Sequence, residues 1–168
     1  MDLVSISIRE ATLADLSAIV DIYNSTISDR MATADTEPIA VANRLDWLQN
    51  RSENRPVWVA QNKENVIGWL SLNNFYGRPA YGGTAEVSLY VASAFRRQGV
   101  GSLLLSNAIA TAPQLGIKIL LGFIFAHNQP SLQLFIRYGF SHWGLLPQVA
   151  ELDGKAKDLA ILGRKITD

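Results

Sequence analysis

A chain of 168 residues, 48% hydrophobic and 18% charged, has the composition of one globular domain with a sizeable core, so a single domain over 1–168 is expected. Fifteen basic residues balance fifteen acidic ones, which argues against a global field for nucleic acid or an anionic membrane and leaves only local anion sites. The lack of cysteine excludes disulfides and thiolate chemistry, and the two histidines, His127 and His142, share no metal-ligand spacing and read as structural polar residues. No metal is expected.

The start, MDLVSISIRE, lacks the basic flank and apolar core of a signal peptide, so cytoplasmic residence is expected. Alternation of Val4, Ile6 and Ile8 with Ser5, Ser7 and Arg9 predicts a first strand, and Thr12 offers an N-cap to a helix over LADLSAIVDIYNSTI. A polar stretch from Ile27 to Glu37 then reads as a loop able to face a substrate. TEPIAVANRLDWLQN predicts a second helix with Pro38 near its first turn. VWVAQ and VIGWLSLNNF, joined through Asn62 to Asn65, predict a hairpin, and the Gly- and Pro-rich YGRPAYGG must be a loop.

TAEVSLYVA alternates Ala85, Val87, Leu89 and Val91 with Thr84, Glu86, Ser88 and Tyr90, a strand with one polar face. A glycine-bearing loop and a helix to about Ala112 follow, then IKILLGFIFA, apolar enough for a strand buried on both faces. NQPSLQLFIRYGF predicts a helix closing near Gly139, and AKDLAILGRKI a last strand. The long apolar stretch Val100 to Ala126 is broken by Asn107, Pro113, Gln114 and Gly116, so a helix followed by a strand fits better than a membrane span. The order of elements predicts α+β layering around a mixed sheet.

The segment FRRQGVGSLLLSNAI concentrates cations and bare backbone at a helix start. Backbone N–H groups there lack intrahelical partners and the peptide dipoles make that end electropositive, so a phosphate or pyrophosphate is the natural ligand. Gly99 and Gly101 allow tight turning and close approach, and Arg96 and Arg97 add charge-assisted contacts. The pattern R-x-x-G-x-G is neither the dinucleotide G-x-G-x-x-G nor a P-loop. On spacing alone, an ordinary helix start with solvated arginines also explains it.

With these residues in view, the chain resembles the GCN5-related N-acetyltransferase (GNAT) family, whose pyrophosphate loop has the form [QR]-x-x-G-x-[GA] after a strand. TAEVSLYVASAFRRQGVGSLLL is similar to the family's strand, loop and helix, and AHNQPSLQLFIRYGF to its second cofactor motif. The resemblance covers Ile6 to Ile166. Asp35 to Pro38, FYGRPAY and TAEVSLYV resemble the phosphinothricin N-acetyltransferase subgroup.

The resemblance implies a GNAT-type, mostly antiparallel central sheet flanked by helices, and acetyl-CoA as the acetyl donor. It implies a cofactor site at Leu89, Tyr90, Val91, Arg96, Arg97, Gln98, Gly99, Val100, Gly101, Ser102, Asn128 and Ser131. The pantetheine arm would run back along EVSLYV from the loop; Glu86 lies five residues before Val91, about 16 Å at roughly 3.3 Å per residue. A protonated amine must lose a proton before it attacks, and Glu86 is the candidate general base. On pattern alone Glu86 is a solvated acid; its T-A-E position in the subgroup implies the base. An N–H near Leu89 to Val91 would meet the developing oxyanion.

The family's tyrosine or histidine acid is Phe135 here, which cannot donate a proton, and Tyr138, three helical positions on, need not face the same site. Arg78 matches the subgroup's substrate-loop arginine and suits an amino acid's carboxylate, although the usual lysine two residues earlier is Tyr76. Phe75 and Tyr81 would wall the acceptor pocket. The expected reaction is acetyl transfer to a small amine such as phosphinothricin, methionine sulfoximine or methionine sulfone. A protein N-terminus or antibiotic amine as acceptor, and a non-catalytic acyl-CoA sensor, are the alternatives. The subgroup's habit implies a homodimer, to which an exposed Trp143 would suit an interface.

Overall fold

In the computed structural model, residues 5–166 are described, and Val4, where the predicted first strand begins, lies outside them. The alternating segment forms β1 (Ile6–Glu10), antiparallel to β2 (Val57–Asn62) with Ile6 opposite Asn62. Thr12 opens a short 3-10 turn that runs into α1 (Leu16–Ser25), and its N–H donates to the Asp15 carboxylate at 2.8 Å. Asp15 also receives both terminal nitrogens of Arg9 at 2.8 Å, which ties the strand end to the helix start. Leu16, Ile19, Val20 and Tyr23 recur at helical spacing and are buried.

The second helix is shorter than its sequence suggests. A 3-10 turn over Val41–Arg44 leads into α2 (Leu45–Gln49), and Pro38 stands outside both. The cause is a side chain: the Asn24 amide accepts from the Ile39 N–H and donates to the Ile39 carbonyl, both at 2.9 Å. The Ile39 carbonyl, which a helix from Thr36 would give to a later N–H, is taken instead by the Asn24 side chain.

β2 and β3 (Asn65–Asn74) form the expected hairpin around Lys63-Glu64, with Lys63 in the left-handed region that two-residue turns require. β3 then pairs antiparallel with β4 (Thr84–Val91). α3 (Val100–Thr111) crosses to β5 (Ile119–Phe125), which runs parallel to β4. α4 (Gln129–Arg137), β6 (Ser141–Leu152) and β7 (Lys155–Lys165) complete a sheet of order β1-β2-β3-β4-β5-β7-β6, with β6 at its edge. This is the mixed, mostly antiparallel α+β architecture expected.

Two cores share the sheet. Leu70, Leu72, Ala85, Val87, Leu120 and Ile124 pack beneath α3 and α4, with Leu104, Leu105 and Phe135. On the opposite face Val57, Val59 and Trp69 meet Ile19, Ile22 and Tyr23 of α1, and the Trp69 indole donates to the Ile19 carbonyl at 3.0 Å. β5 is buried on both faces, since Leu120 and Ile124 serve the first core while Leu121 and Phe125 are buried on the other side.

Candidate active site

β4 and β5 pair only at Thr84–Glu86 with Ile119–Leu121. Beyond that point the two strands run on without ladder pairs, β4 to Val91 ahead of the glycine loop and β5 to Phe125 ahead of α4. The main-chain groups of β4 that point away from β3 are therefore open to an extended ligand. Glu86 sits at the apex, the last β4 residue in the ladder.

A cavity of about 680 Å³ occupies the split. Its walls are Leu89, Tyr90 and Val91 of β4, Arg96, Arg97 and Gly99 to Ser102 of the loop and α3, and Asn128 and Ser131 at the start of α4. Every cofactor residue expected from the sequence lines it except Gln98, whose amide folds back onto the Ala94 carbonyl at 3.2 Å. Thr26, Asp29, Met31 and Ala32 close one side, so the loop between the first two helices does face the ligand space.

The two glycines do different work. Gly99 adopts φ +84°, a left-handed conformation that turns the chain into α3. Gly101 is helical, and an added Cβ would stand 3.1 Å from Leu134 Cδ2, so its bareness lets α3 approach α4 beside the cavity. Arg96 pairs with Asp29 at 3.1 Å across the mouth, on the surface where such a pair is weak and an incoming phosphate competes for it. The α3 N-terminus therefore combines free N–H groups, two arginines and an elongated cavity, a set of donors that fits a pyrophosphate with an arm running back along β4.

Asn128 is buried, and both ends of its amide serve the protein. Its oxygen accepts from the Ser131 N–H at 3.3 Å to cap α4, and its nitrogen donates to the Met31 carbonyl at 3.1 Å. His127 makes a parallel tie through its ring Nε2 to the Arg30 carbonyl at 2.8 Å while stacking on Phe125. Together these hold the 26–35 loop against the cavity.

Glu86 points to the face away from α3. Register pairs it with Asn73 and Leu121, and places Ser88 beside Ser71 and Tyr90 beside Trp69. Burial without a hydrogen-bonding partner among the described residues pushes the Glu86 carboxyl above its ordinary range. Tyr90 lies edge-on to Tyr23 at 5.1 Å and against Trp69 at 4.8 Å. Burial raises its phenol well above the usual tyrosine value. The Tyr23 hydroxyl is within 2.5 Å of Thr33 Oγ1 and donates to the Asp35 carboxylate, which fixes the ring.

Arg44 is centred 5.1 Å over the Tyr23 ring and 5.3 Å over Trp47. This aromatic basin of Tyr23, Trp47, Trp69 and Tyr90 was missed in the sequence, because its members come from α1, α2, β3 and β4 and no local spacing links them.

On the far side of Glu86, Phe75 meets Tyr81 edge-on at 5.3 Å and stacks with Phe123 of β5 at 6.3 Å. Two of the three expected acceptor residues therefore come together, whereas Arg78 is exposed and its guanidinium has no hydrogen bond or ion pair among the described residues, although its carbonyl accepts from the Tyr81 N–H at 2.9 Å. Phe135 is core: its ring covers Gly122, where a Cβ would approach to 2.9 Å, and meets Phe140 at 4.8 Å. Tyr138 lies near the loop, its phenol held below the usual range by hydrogen bonds with Ser102 and Ser106. Among the described residues no group of three or more His, Asp or Glu could hold a metal, and no helix is long and apolar enough to cross a membrane.

Residues 19–140 match the model of the acetyltransferase (GNAT) family. A Bacillus subtilis (strain 168) protein provisionally named phosphinothricin acetyltransferase YwnH is 53% identical, over 96% of this chain and 99% of its own. The L-methionine sulfoximine/L-methionine sulfone acetyltransferase of Pseudomonas aeruginosa is 33% identical, over 94% and 93%. A phosphinothricin acetyltransferase from Sinorhizobium meliloti, solved in complex with acetyl-CoA, superimposes with a TM-score of 0.88 at 28% identity, over 96% of this chain and 89% of that one. With its split sheet, its glycine loop and these relatives, the chain belongs to the GNAT family and is an acetyl-CoA-dependent N-acetyltransferase.

Proposed function

We propose that the chain acetylates the amine of a small amino-acid-like acceptor, of the phosphinothricin, methionine sulfoximine or methionine sulfone type, with Glu86 as general base. The observation that carries this reading is the position of Glu86 at the apex of the β4–β5 split, on the same face of the strand as Tyr90, which lines the cofactor cavity. The names of the relatives support the acceptor class.

Acetyl-CoA supplies an activated thioester, and the residues of this chain orient it and handle the proton. N–H groups from Gln98 to Ser102 with Arg96 and Arg97 hold the pyrophosphate, and β4 main-chain groups from Leu89 to Val91 guide the arm and face the carbonyl oxygen. Glu86 takes the proton from the attacking amine, directly or through a water, as the C–N bond forms and the C–S bond breaks. A base whose pKa lies above the ordinary carboxylate range is better matched to an amine than an exposed glutamate. Phe75 and Tyr81 wall the acceptor side and Arg78 stands at its rim. Buried Phe135 takes no part in proton transfer, so thiolate protonation runs through another group or solvent.

Free-thiol release from acetyl-CoA, across phosphinothricin, methionine sulfoximine, methionine sulfone, ordinary amino acids and simple amines, tests the acceptor class. Saturable turnover confined to the amino-acid-like members is expected; turnover of simple amines alone would overturn it. A homodimer is part of the same proposal. Edge strand β6 leaves Trp143, Leu145, Leu146 and Val149 exposed, apolar side chains on both of its faces that a second copy docked along this edge can cover. A monomeric mass in sedimentation at assay concentrations would remove it.

A further inference from the structure

Asn73 stands directly opposite Glu86 on the neighbouring strand, so the two side chains share one face of the sheet, with their Cβ atoms about 5 Å apart. The amide of Asn73 is oriented by an arginine. Arg51 gives its Nε to the Arg55 carbonyl at 2.8 Å, one terminal nitrogen to the Leu72 carbonyl and, from that same nitrogen, a bond of 3.1 Å to Asn73 Oδ1. Its guanidinium also lies 4.9 Å from the centre of the Trp47 ring. A guanidinium only donates, so the amide oxygen faces it and the amide nitrogen faces away. That nitrogen donates to Ser71 Oγ at 3.1 Å and to Ser88 Oγ at 3.2 Å.

Each serine oxygen thus has one lone pair taken by Asn73, while its own O–H turns elsewhere. Ser71 is 1% exposed, whereas Ser88 is half-buried, and among the described residues the Ser88 hydroxyl has no partner other than Asn73. One donor and one lone pair of Ser88 are left for a ligand or a water. The β3–β4 register runs unbroken from Ala85 to Val91, so Ser88 is on the Glu86 face, between Glu86 and Leu89, the first β4 residue on the cavity wall. From Glu86 to Leu89 is about 10 Å at roughly 3.3 Å per residue, against about 3 Å for one hydrogen bond. Side chains that stand across the strand close only part of that gap.

We propose that Ser88 is the relay through which the acceptor's amine proton reaches Glu86, and that Asn73, locked by Arg51, positions its hydroxyl. As the amine nitrogen bonds to the thioester carbon, its proton passes to Ser88 Oγ while the Ser88 proton passes to the Glu86 carboxylate, directly or through one water. The C–S bond then breaks with its electron pair on sulfur, serine is restored, and Glu86 returns the proton to solvent. This rests on the base role of Glu86 and on the thioester lying at Leu89 to Val91, as proposed above.

The test is thiol release from acetyl-CoA with methionine sulfone as acceptor. In Ser88→Ala, kcat is expected to fall by about ten- to a hundredfold, less than the 10² to 10⁴ of a lost base because water takes the hydroxyl's place. The KM for acetyl-CoA should stay within about twofold, and the acid limb of kcat/KM should remain, since Glu86 still titrates. Ser88→Thr keeps the hydroxyl and should restore most of the rate. Asn73→Ala should lower kcat by a similar factor in the parent and change it by less than about twofold in the Ser88→Ala background, because it acts through that hydroxyl. The Ser88 variants, which differ by one oxygen or one methyl, serve if Asn73→Ala does not fold. A Ser88→Ala enzyme with its kcat within about twofold of the parent, beside an inactive Glu86→Gln, would overturn the relay and leave the base standing. Equal losses from Asn73→Ala in both backgrounds would overturn the positioning role. Full activity in Glu86→Gln would remove the base, and the relay with it.

Discussion

Glu86→Gln separates a catalytic acid from a structural one, because the two roles predict opposite changes in stability. Glutamine has nearly the shape of glutamate and no charge. Burial raises the Glu86 pKa in the folded protein, so the ionised carboxylate is held there at a cost. That cost is absent at low pH, where the group is protonated in both states, and it grows as pH rises through the raised folded value. At neutral pH the variant should therefore melt at the same temperature as the parent or higher. Activity should move the other way. Loss of a positioned base removes a factor of about 10² to 10⁴, or roughly 2.7 to 5.4 kcal/mol of transition-state stabilisation at 1.36 kcal/mol per tenfold.

The assay is thiol release at saturating acetyl-CoA across pH, beside thermal melting of both proteins. The parent's kcat/KM should rise with pH through an acid limb placed above the usual glutamate range, since the deprotonated form is the active one. The variant should lack that limb. A variant that keeps its rate within about tenfold and its acid limb unchanged would refute the base role. Loss of stability together with activity would show that Glu86 holds the structure.

Two further outcomes test the frame around the site. Gly122→Ala places a Cβ 2.9 Å from Phe135 Cε1 in a ring pair that cannot easily retreat, so a loss of about 1–3 kcal/mol in urea unfolding is expected; an unchanged midpoint would show that Phe135 is not wedged there. Asp15→Asn removes the bidentate partner of half-exposed Arg9 and should cost about 1–2 kcal/mol after allowance for solvent screening. The Arg9 hydrogen bonds, foremost, depress the Asp15 pKa, so this stability is fully present above the unfolded carboxylate value and is lost as pH falls through the folded one. A difference between parent and variant that persisted at acid pH would contradict it.

The local signals in the chain were strong where one element decides its own shape. Alternation in ISIRE and TAEVSLYV marks strands, a two-residue turn joins VWVAQN to NVIGWLSLNN, and R-x-x-G-x-G marks a helix start with free N–H groups, so the sheet elements and the anion loop could be read directly. The second helix was misplaced because its boundary depends on Asn24, fifteen residues away, which takes the Ile39 main-chain groups. Gly101 reads as a ligand-facing glycine in sequence and lines the cavity, and only the fold shows that its bareness also admits Leu134 of another helix. Asn128 reads as a cofactor residue and lines the cavity, and the structure adds that both ends of its amide bind the protein.

By itself, then, the sequence determined the α+β class, the family and the residues of the anion loop, because periodicity and short motifs act over a few neighbouring positions. Only the tertiary structure decided that β4 and β5 part just after Glu86 and that Tyr23, Arg44, Trp47 and Tyr90 meet on one face. Those facts depend on strand register and on contacts between segments far apart in the chain, and no local pattern encodes a distance between such segments.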